Sequence, residues 1–202
     1  MIKSLFTTAV LALALGPAQA AWSVAGDVLT DDDDLVLTTA WLAPGDPDTP
    51  FNLSGVPAVD VALVEALAGV APYALDLGDE AATEGSLAWQ SFSVAAGDTL
   101  RFDWRFQTAE TDFEDHAFVV LDGQLQTLAT RSQPGAALQS FSHVFASAGL
   151  ATLAVGVVDT VDFLGVSTLT LSGLQVTPVP EPATLLLWAA GLAGLGAVRR
   201  RG

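Results

Sequence analysis

Leu100, Phe102, Trp104 and Phe106 alternate with Arg101, Asp103, Arg105 and Gln107, and this run restricts the fold more than any other stretch of the 202 residues. A period of two sends every apolar side chain to one face and every polar one to the other, as a half-buried antiparallel strand requires. Further runs with strand character cover residues 22–29, 35–42, 89–94, 117–121, 124–130, 138–146, 150–158 and 166–176. Asp122-Gly123 separates two of them by the two residues that a primed hairpin turn prefers. Residues 95–98, 147–149 and 159–165 connect others. Gly173 puts Leu169 and Leu171 out of phase with Leu174 and Val176, which predicts a bulge. About eight or nine short strands in one domain predict an all-β fold, an antiparallel β-sandwich of jelly-roll-like kind.

One helix interrupts the pattern. Pro57 suits a first helical position, residues 58–68 are good helix formers, and Gly69 suits the C-terminal cap. Residues 44–57 hold four prolines and read as a surface loop, and residues 76–86 read as an acidic loop ahead of the main sheet.

The two ends read differently from the middle. Residues 1–20 have a basic start at Lys3, a short apolar stretch and the small-residue box Ala18-Gln19-Ala20, which predicts a signal helix, export through the Sec translocon and a mature start at Ala21. At the other end Val179-Pro180-Glu181-Pro182 lacks two backbone donors and stays extended. Residues 183–198 carry no charge and then meet Arg199, Arg200 and Arg201. Those sixteen residues fall short of the roughly 20 of a full span, yet a short segment inserts where flanking residues adapt or the bilayer thins. A C-terminal transmembrane helix with its arginines in the cytoplasm is therefore expected. The expected division is a signal peptide at 1–20, an exported sandwich at 21–177 and a sorting and anchor segment at 178–202.

A Pro-Glu-Pro box, an apolar stretch and a basic stop in that order resemble the PEP-CTERM sorting signal of Gram-negative envelope proteins. The resemblance implies recognition by an exosortase, cleavage near Pro180, Glu181 and Pro182, and a passing single-span stage in the inner membrane. The outer envelope, cell surface or extracellular matrix is then the destination. A looser resemblance lies in Glu84-Gly85-Ser86, the run from Gly97 to Trp104, the run from Phe118 to Gly123 and Gly156 to Asp159. This order looks like a β-sandwich domain common in such surface proteins; it implies fold and transfers no catalytic residue.

Setting the two end segments aside leaves 3 basic residues, Arg101, Arg105 and Arg131, against 22 acidic ones, a net charge of −19. That balance opposes nucleic acid and anionic lipid and favours solubility or divalent cations. The chain has no cysteine, so core packing, helped or not by a metal, must hold the fold.

No catalytic set emerges. His116 and His143 are the only histidines, and Gly165-Val166-Ser167-Thr168-Leu169 lacks the second glycine of a nucleophile elbow. The expectation is a protein that is not an enzyme. Calcium is the better chemical hypothesis, because it takes six to eight oxygens and acidic inter-strand loops supply them. Glu110, Asp112, Glu114 and Asp115 form one candidate loop and Asp159 and Asp162 a second. Asp76, Asp79, Glu80 and Glu84 make a third cluster, and Asp31 to Asp34 a weaker fourth. None has the spacing of an EF-hand, and solvated acidic loops explain the same pattern.

Two functions follow. One is a non-catalytic envelope or matrix protein that associates with exopolysaccharide. The other is a calcium-dependent carbohydrate-binding module, which needs exposed rings from among Trp22, Trp41, Tyr73 and Trp89.

Overall fold

The computed structural model describes residues 21–31, 34–134 and 137–179. Its strands are β1 (Ser23–Ala25), β2 (Asp27–Asp31), β3 (Asp34–Thr38), β4 (Val59–Asp60), β5 (Ala82–Val94), β6 (Thr99–Thr108), β7 (His116–Leu121), β8 (Gln124–Thr130), β9 (Gln139–Val144), β10 (Gly149–Thr160) and β11 (Ser167–Thr177), with one helix, α1 (Val61–Ala68). They form two antiparallel sheets. The first runs β1-β5-β10-β7-β8, with β4 on β5, and the second runs β2-β3-β11-β6-β9. The last two long strands thus enter the middle of opposite sheets, β10 between β5 and β7 and β11 between β3 and β6.

The alternation of β6 is realised as the inner wall of the second sheet: Leu100, Phe102, Trp104 and Phe106 are buried while Arg101 and Arg105 are exposed. Facing them from the first sheet are Ala88 and Phe92 of β5, Ala117, Val119 and Leu121 of β7, and Leu153, Val155 and Val157 of β10, all in one core cluster. The other face of the first sheet is covered as well. Val64 and Ala68 of α1 join Leu87, Phe118, Val120, Ala154 and Val158 in a second cluster. Strands β5, β7 and β10 are therefore apolar on both faces, which hides their alternation and lengthens their hydrophobic runs.

Several expectations are met residue for residue. Asp122 and Gly123 both have positive φ, 49° and 76°, as a primed two-residue turn requires. The register of β11 against β6 shifts between Ser172 and Gln175, around Gly173. Gly69 ends the helix at φ 74°. Others shift. The helix begins not at Pro57 but after Asp60, whose side chain accepts from the Ala62 N–H at 2.8 Å and so caps it. Gly26, at φ 87°, splits the first expected strand into β1 and β2, which join different sheets. Strand β5 reaches back to Ala82, so half of the expected acidic loop 76–86 is strand, and β10 runs on to Thr160. The expected signal helix and transmembrane helix lie outside the described residues; among those described, no helix is long and apolar enough to cross a membrane.

Gly156 marks the tightest approach in the first sheet. A Cβ there would stand 2.5 Å from Phe118 Cζ and 2.8 Å from the Ser86 carbonyl oxygen. Gly156→Ala should lower the unfolding free energy by about 2–3 kcal/mol in urea denaturation, because the backbone of β5 cannot retreat without breaking its ladder.

Candidate functional site

Three adjacent strands of the first sheet end on acidic residues at the same height. On β5 the inward phase that carries Phe92 and Ala88 continues through Ser86 to Glu84. On β10 the inward phase of Leu153, Val155 and Val157 continues to Asp159, which pairs directly with Glu84. Strand β7 pairs His116 with Val158 and Ala117 with Val157. Extending that register by one residue sets Asp115 opposite Asp159. Directly opposed side chains of antiparallel strands share a face at about 5 Å. Glu84, Asp159 and Asp115 therefore form a row that crosses the end of the inter-sheet core.

All three are buried: Glu84 is 2% exposed, Asp159 1% and Asp115 0%. Their partners differ. Asp115 accepts from the Thr160 N–H at 3.0 Å, and Ser167 Oγ, at the start of β11, lies 2.7 Å from its other carboxyl oxygen. Glu84 Oε1 and Asp159 Oδ1 are buried without any hydrogen-bond partner among the described residues. Buried polar atoms in a native fold nearly always find one.

Loops bring four more carboxylates over the row. Burial pushes Asp159 up to about 9, reinforced by Asp115, Asp162, Glu84 and Glu110. Glu84 is pushed up to about 8 by burial and by Asp46 and Asp48, and Asp115 to about 7 by burial, with Glu110 and Asp162 adding to it. Burial also raises Asp48, with Asp46, Asp162 and Glu110 beside it. Among the described residues, no basic side chain is a cause of the shift at any of these four. Arg131 pairs with Glu114 at 3.0 Å.

The roof loops are fixed to one another. Gly165, at φ 85°, packs so closely on Glu110 that a Cβ would lie 3.0 Å from the Glu110 Cα. Glu110 Oε1 accepts from the N–H groups of Thr111, Asp112 and Phe113, and Asp162 Oδ1 accepts from Leu164 N–H. Beside them a groove of about 500 Å³ opens, lined by Thr38, Asp48, Phe51, Thr108 and Gly165 among others.

Of the six residues expected to bind calcium, four gather here: Glu110, Asp115, Asp159 and Asp162. The other two do not. Asp112 is exposed at the loop tip, and Glu114 accepts from Arg131 and from the Ser132 N–H. The sequence pattern assigned Glu84 to a separate cluster with Asp76, Asp79 and Glu80, and singled out neither Asp46 nor Asp48. For Glu84 the available signal was its phase, two residues before Ser86 and four before Ala88 on an alternating strand. Asp46 and Asp48 had no local signal. Among the described residues no three acidic, histidine or cysteine side chains already converge in metal-ligating geometry.

Neither histidine joins the row. His116 is buried and its ring is pushed down to about 4 by burial, with Nδ1 3.2 Å from the Glu114 carbonyl. His143 is exposed on β9, its ring edge-on to Phe145 at 5.0 Å.

The described chain ends at the opposite pole of the sandwich. Val179 N–H donates to Asp98 Oδ1 at 3.3 Å, in the turn that follows β5. Ten residue steps along β5 separate Glu84 from Val94, roughly 33 Å. The acidic row thus faces away from the point where residues 180–202 begin.

Those last residues decide the comparison with known proteins. A family model described as the PEP-CTERM protein-sorting motif matches residues 178–201. The chain carries a PEP-CTERM sorting signal. The signal indicates an exported protein that is sorted by an exosortase, and the two-sheet β fold suits an exported sandwich domain. The box Val179 to Pro182 and the basic stop Arg199 to Arg201 fall inside the match; apart from Val179 they lie outside the described residues, as do Ala18 and Ala20 of the expected cleavage box. No curated protein matches the chain. Among solved structures the secreted serine protease VesC from Vibrio cholerae is similar at 10% identity and a TM-score of 0.32, over 80% of this chain and 44% of that one. The chain spans less than half of that protein, and so slight a likeness carries neither fold nor activity.

Proposed function

We propose that this protein is a non-catalytic component of the cell envelope or extracellular matrix, delivered by its PEP-CTERM signal and retained there by association with exopolysaccharide. The observation that carries this reading is the sorting motif at residues 178–201. In this reading the chain crosses the inner membrane through the Sec translocon, loses residues 1–20 and is held as a single-pass intermediate until the exosortase acts near Pro180 to Pro182. The jelly-roll-like domain of residues 21–177 is the part delivered.

Two features support a structural rather than a catalytic role. His116 is buried against the Glu114 carbonyl and His143 is exposed on the edge strand β9 beside Phe145, so neither is placed as a base beside a nucleophile. The alternative of a calcium-dependent carbohydrate-binding module needs paired exposed rings. Of the four rings expected for it, Trp22, Trp41 and Trp89 are half-buried and Tyr73 alone, 80% exposed, stands clear of the surface.

The reading is tested by separating matrix, outer envelope, inner membrane and medium from producing cells. Most of the protein should sediment with the matrix, and it should pass into the medium in cells that make no exopolysaccharide. Equal release in both strains would contradict the association.

A further inference from the structure

We propose that the buried row of Glu84, Asp115 and Asp159, roofed by Asp48 and Asp162, is a binding site for a divalent cation of calcium's class.

Two independent observations meet at this place. The first is the gathering itself: carboxylates from β5, β10, the start of β7 and two roof loops face one another at the end of the core. The second is that two oxygens of the row, Glu84 Oε1 and Asp159 Oδ1, are buried with no hydrogen-bond partner among the described residues, on side chains that are 2% and 1% exposed. A fold satisfies or neutralises such atoms, and a cation does both at once. Solvated acidic loops would instead hold their carboxylates in water, as Asp112 does. Nearby Ser167 and Thr108 hydroxyls, 2.7 Å apart, supply further hard oxygens to the same layer.

Calcium fits this donor set better than smaller or softer ions. The oxygens come from irregular loops and strand ends, and calcium accepts six to eight of them in flexible geometry, whereas magnesium demands a near-ideal octahedron. With no cysteine in the chain and no histidine in the row, nothing favours zinc or copper. Among the described residues no three side chains yet converge, so the site is completed by closing Asp48 and Asp162 on the row. A site so loosely preformed belongs to the weak range of extracellular calcium modules, with an expected Kd of about 10⁻⁴–10⁻³ M.

The test is thermal unfolding of the full chain, purified in detergent, in EDTA, in calcium chloride and in sodium chloride of equal ionic strength. At roughly a hundredfold excess over its Kd, calcium should raise the melting temperature by about 5–10 °C, and sodium chloride should not. The double variant Glu84→Gln/Asp159→Asn removes two charges while keeping volume. It should melt at or above the unsubstituted chain in EDTA and show no calcium shift. Asp112→Asn, outside the row, should keep the full shift. No calcium shift in the unsubstituted chain, or a shift that survives in the double variant, would overturn the proposal. The outcome is independent of sorting, since it is read on purified protein.

Discussion

Asp27→Ala should lower the unfolding free energy by about 3–5 kcal/mol, although Asp27 lies in no cluster of acidic residues. Asp27 is fully buried at the first position of β2. Its carboxyl oxygens accept from the Leu53 N–H at 3.0 Å, from the Ser54 N–H and hydroxyl at 2.7 Å each, and from the Thr38 hydroxyl. Its own N–H donates to Ser86 Oγ at 2.8 Å, and Ser86 Oγ donates to the Thr38 carbonyl at 2.6 Å. The side chain thus fastens the proline-rich loop to β3 of the second sheet, and the backbone N–H of the same residue adds the link to β5 of the first. Alanine removes the acceptor of the buried Thr38 hydroxyl, a loss of about 1–3 kcal/mol, and releases the N–H groups of Leu53 and Ser54 that hold the loop in place. The loss is read as a lower urea midpoint with an unchanged m-value. Because the same loop carries Asp46 and Asp48, the variant should also lose most of any calcium-dependent stabilisation. A change below about 1 kcal/mol would show that the loop holds its place by other means.

The second large effect concerns pH. In the presence of chelator, stability should fall as pH rises from about 6.5 to 8, by about 1–3 kcal/mol per pH unit. The direction follows from the carboxyls of the row. Glu84, Asp159 and Asp115 are raised by burial to about 8, 9 and 7, above the values they take in the unfolded chain. The folded state therefore holds protons that the unfolded state releases, and stability drops with pH over that interval. The acidic side chains facing them are Asp46, Asp48, Glu110 and Asp162, all of the same sign. His116 acts oppositely. Its folded value of about 4 lies below the ordinary 6.5, so it adds stability as pH rises between those limits and then stops. The decline is thus partly offset below about pH 6.5 and uncompensated above it. Glu84→Gln/Asp159→Asn should flatten the curve, and calcium should flatten it in the unsubstituted chain by competing with the protons. A stability that stays level or rises from pH 6.5 to 8 would rule out a buried, uncompensated row.

The sandwich was legible because most of its strands show one periodicity and the Asp122-Gly123 turn is spelled out in two residues. What the sequence concealed has physical causes. Strand β5 has Gly85 and Ser86 where a reader expects apolar residues, and its outer face is covered by α1, so its first third looked like an acidic loop. The site was half legible for the same reason. Glu110, Asp115, Asp159 and Asp162 stood out as carboxylates near strand ends. Glu84 was placed in a loop because its strand was. Asp46 and Asp48 reach the row only through the fold of residues 39–58, held by Asp27 across a separation that no local pattern reveals. Conversely, adjacency in sequence overstated Asp112 and Glu114, whose side chains turn away from Asp115.

The claim on which the functional account rests is that the C-terminal signal decides where this domain goes. Replacing Pro180, Glu181 and Pro182 together with alanine and fractionating the cells tests it most directly. The unsubstituted protein should appear in the outer envelope and matrix, shortened at its C-terminus by mass spectrometry. The substituted protein should remain uncut in the inner-membrane fraction. A substituted protein that is shortened and exported like the unsubstituted one would contradict the account.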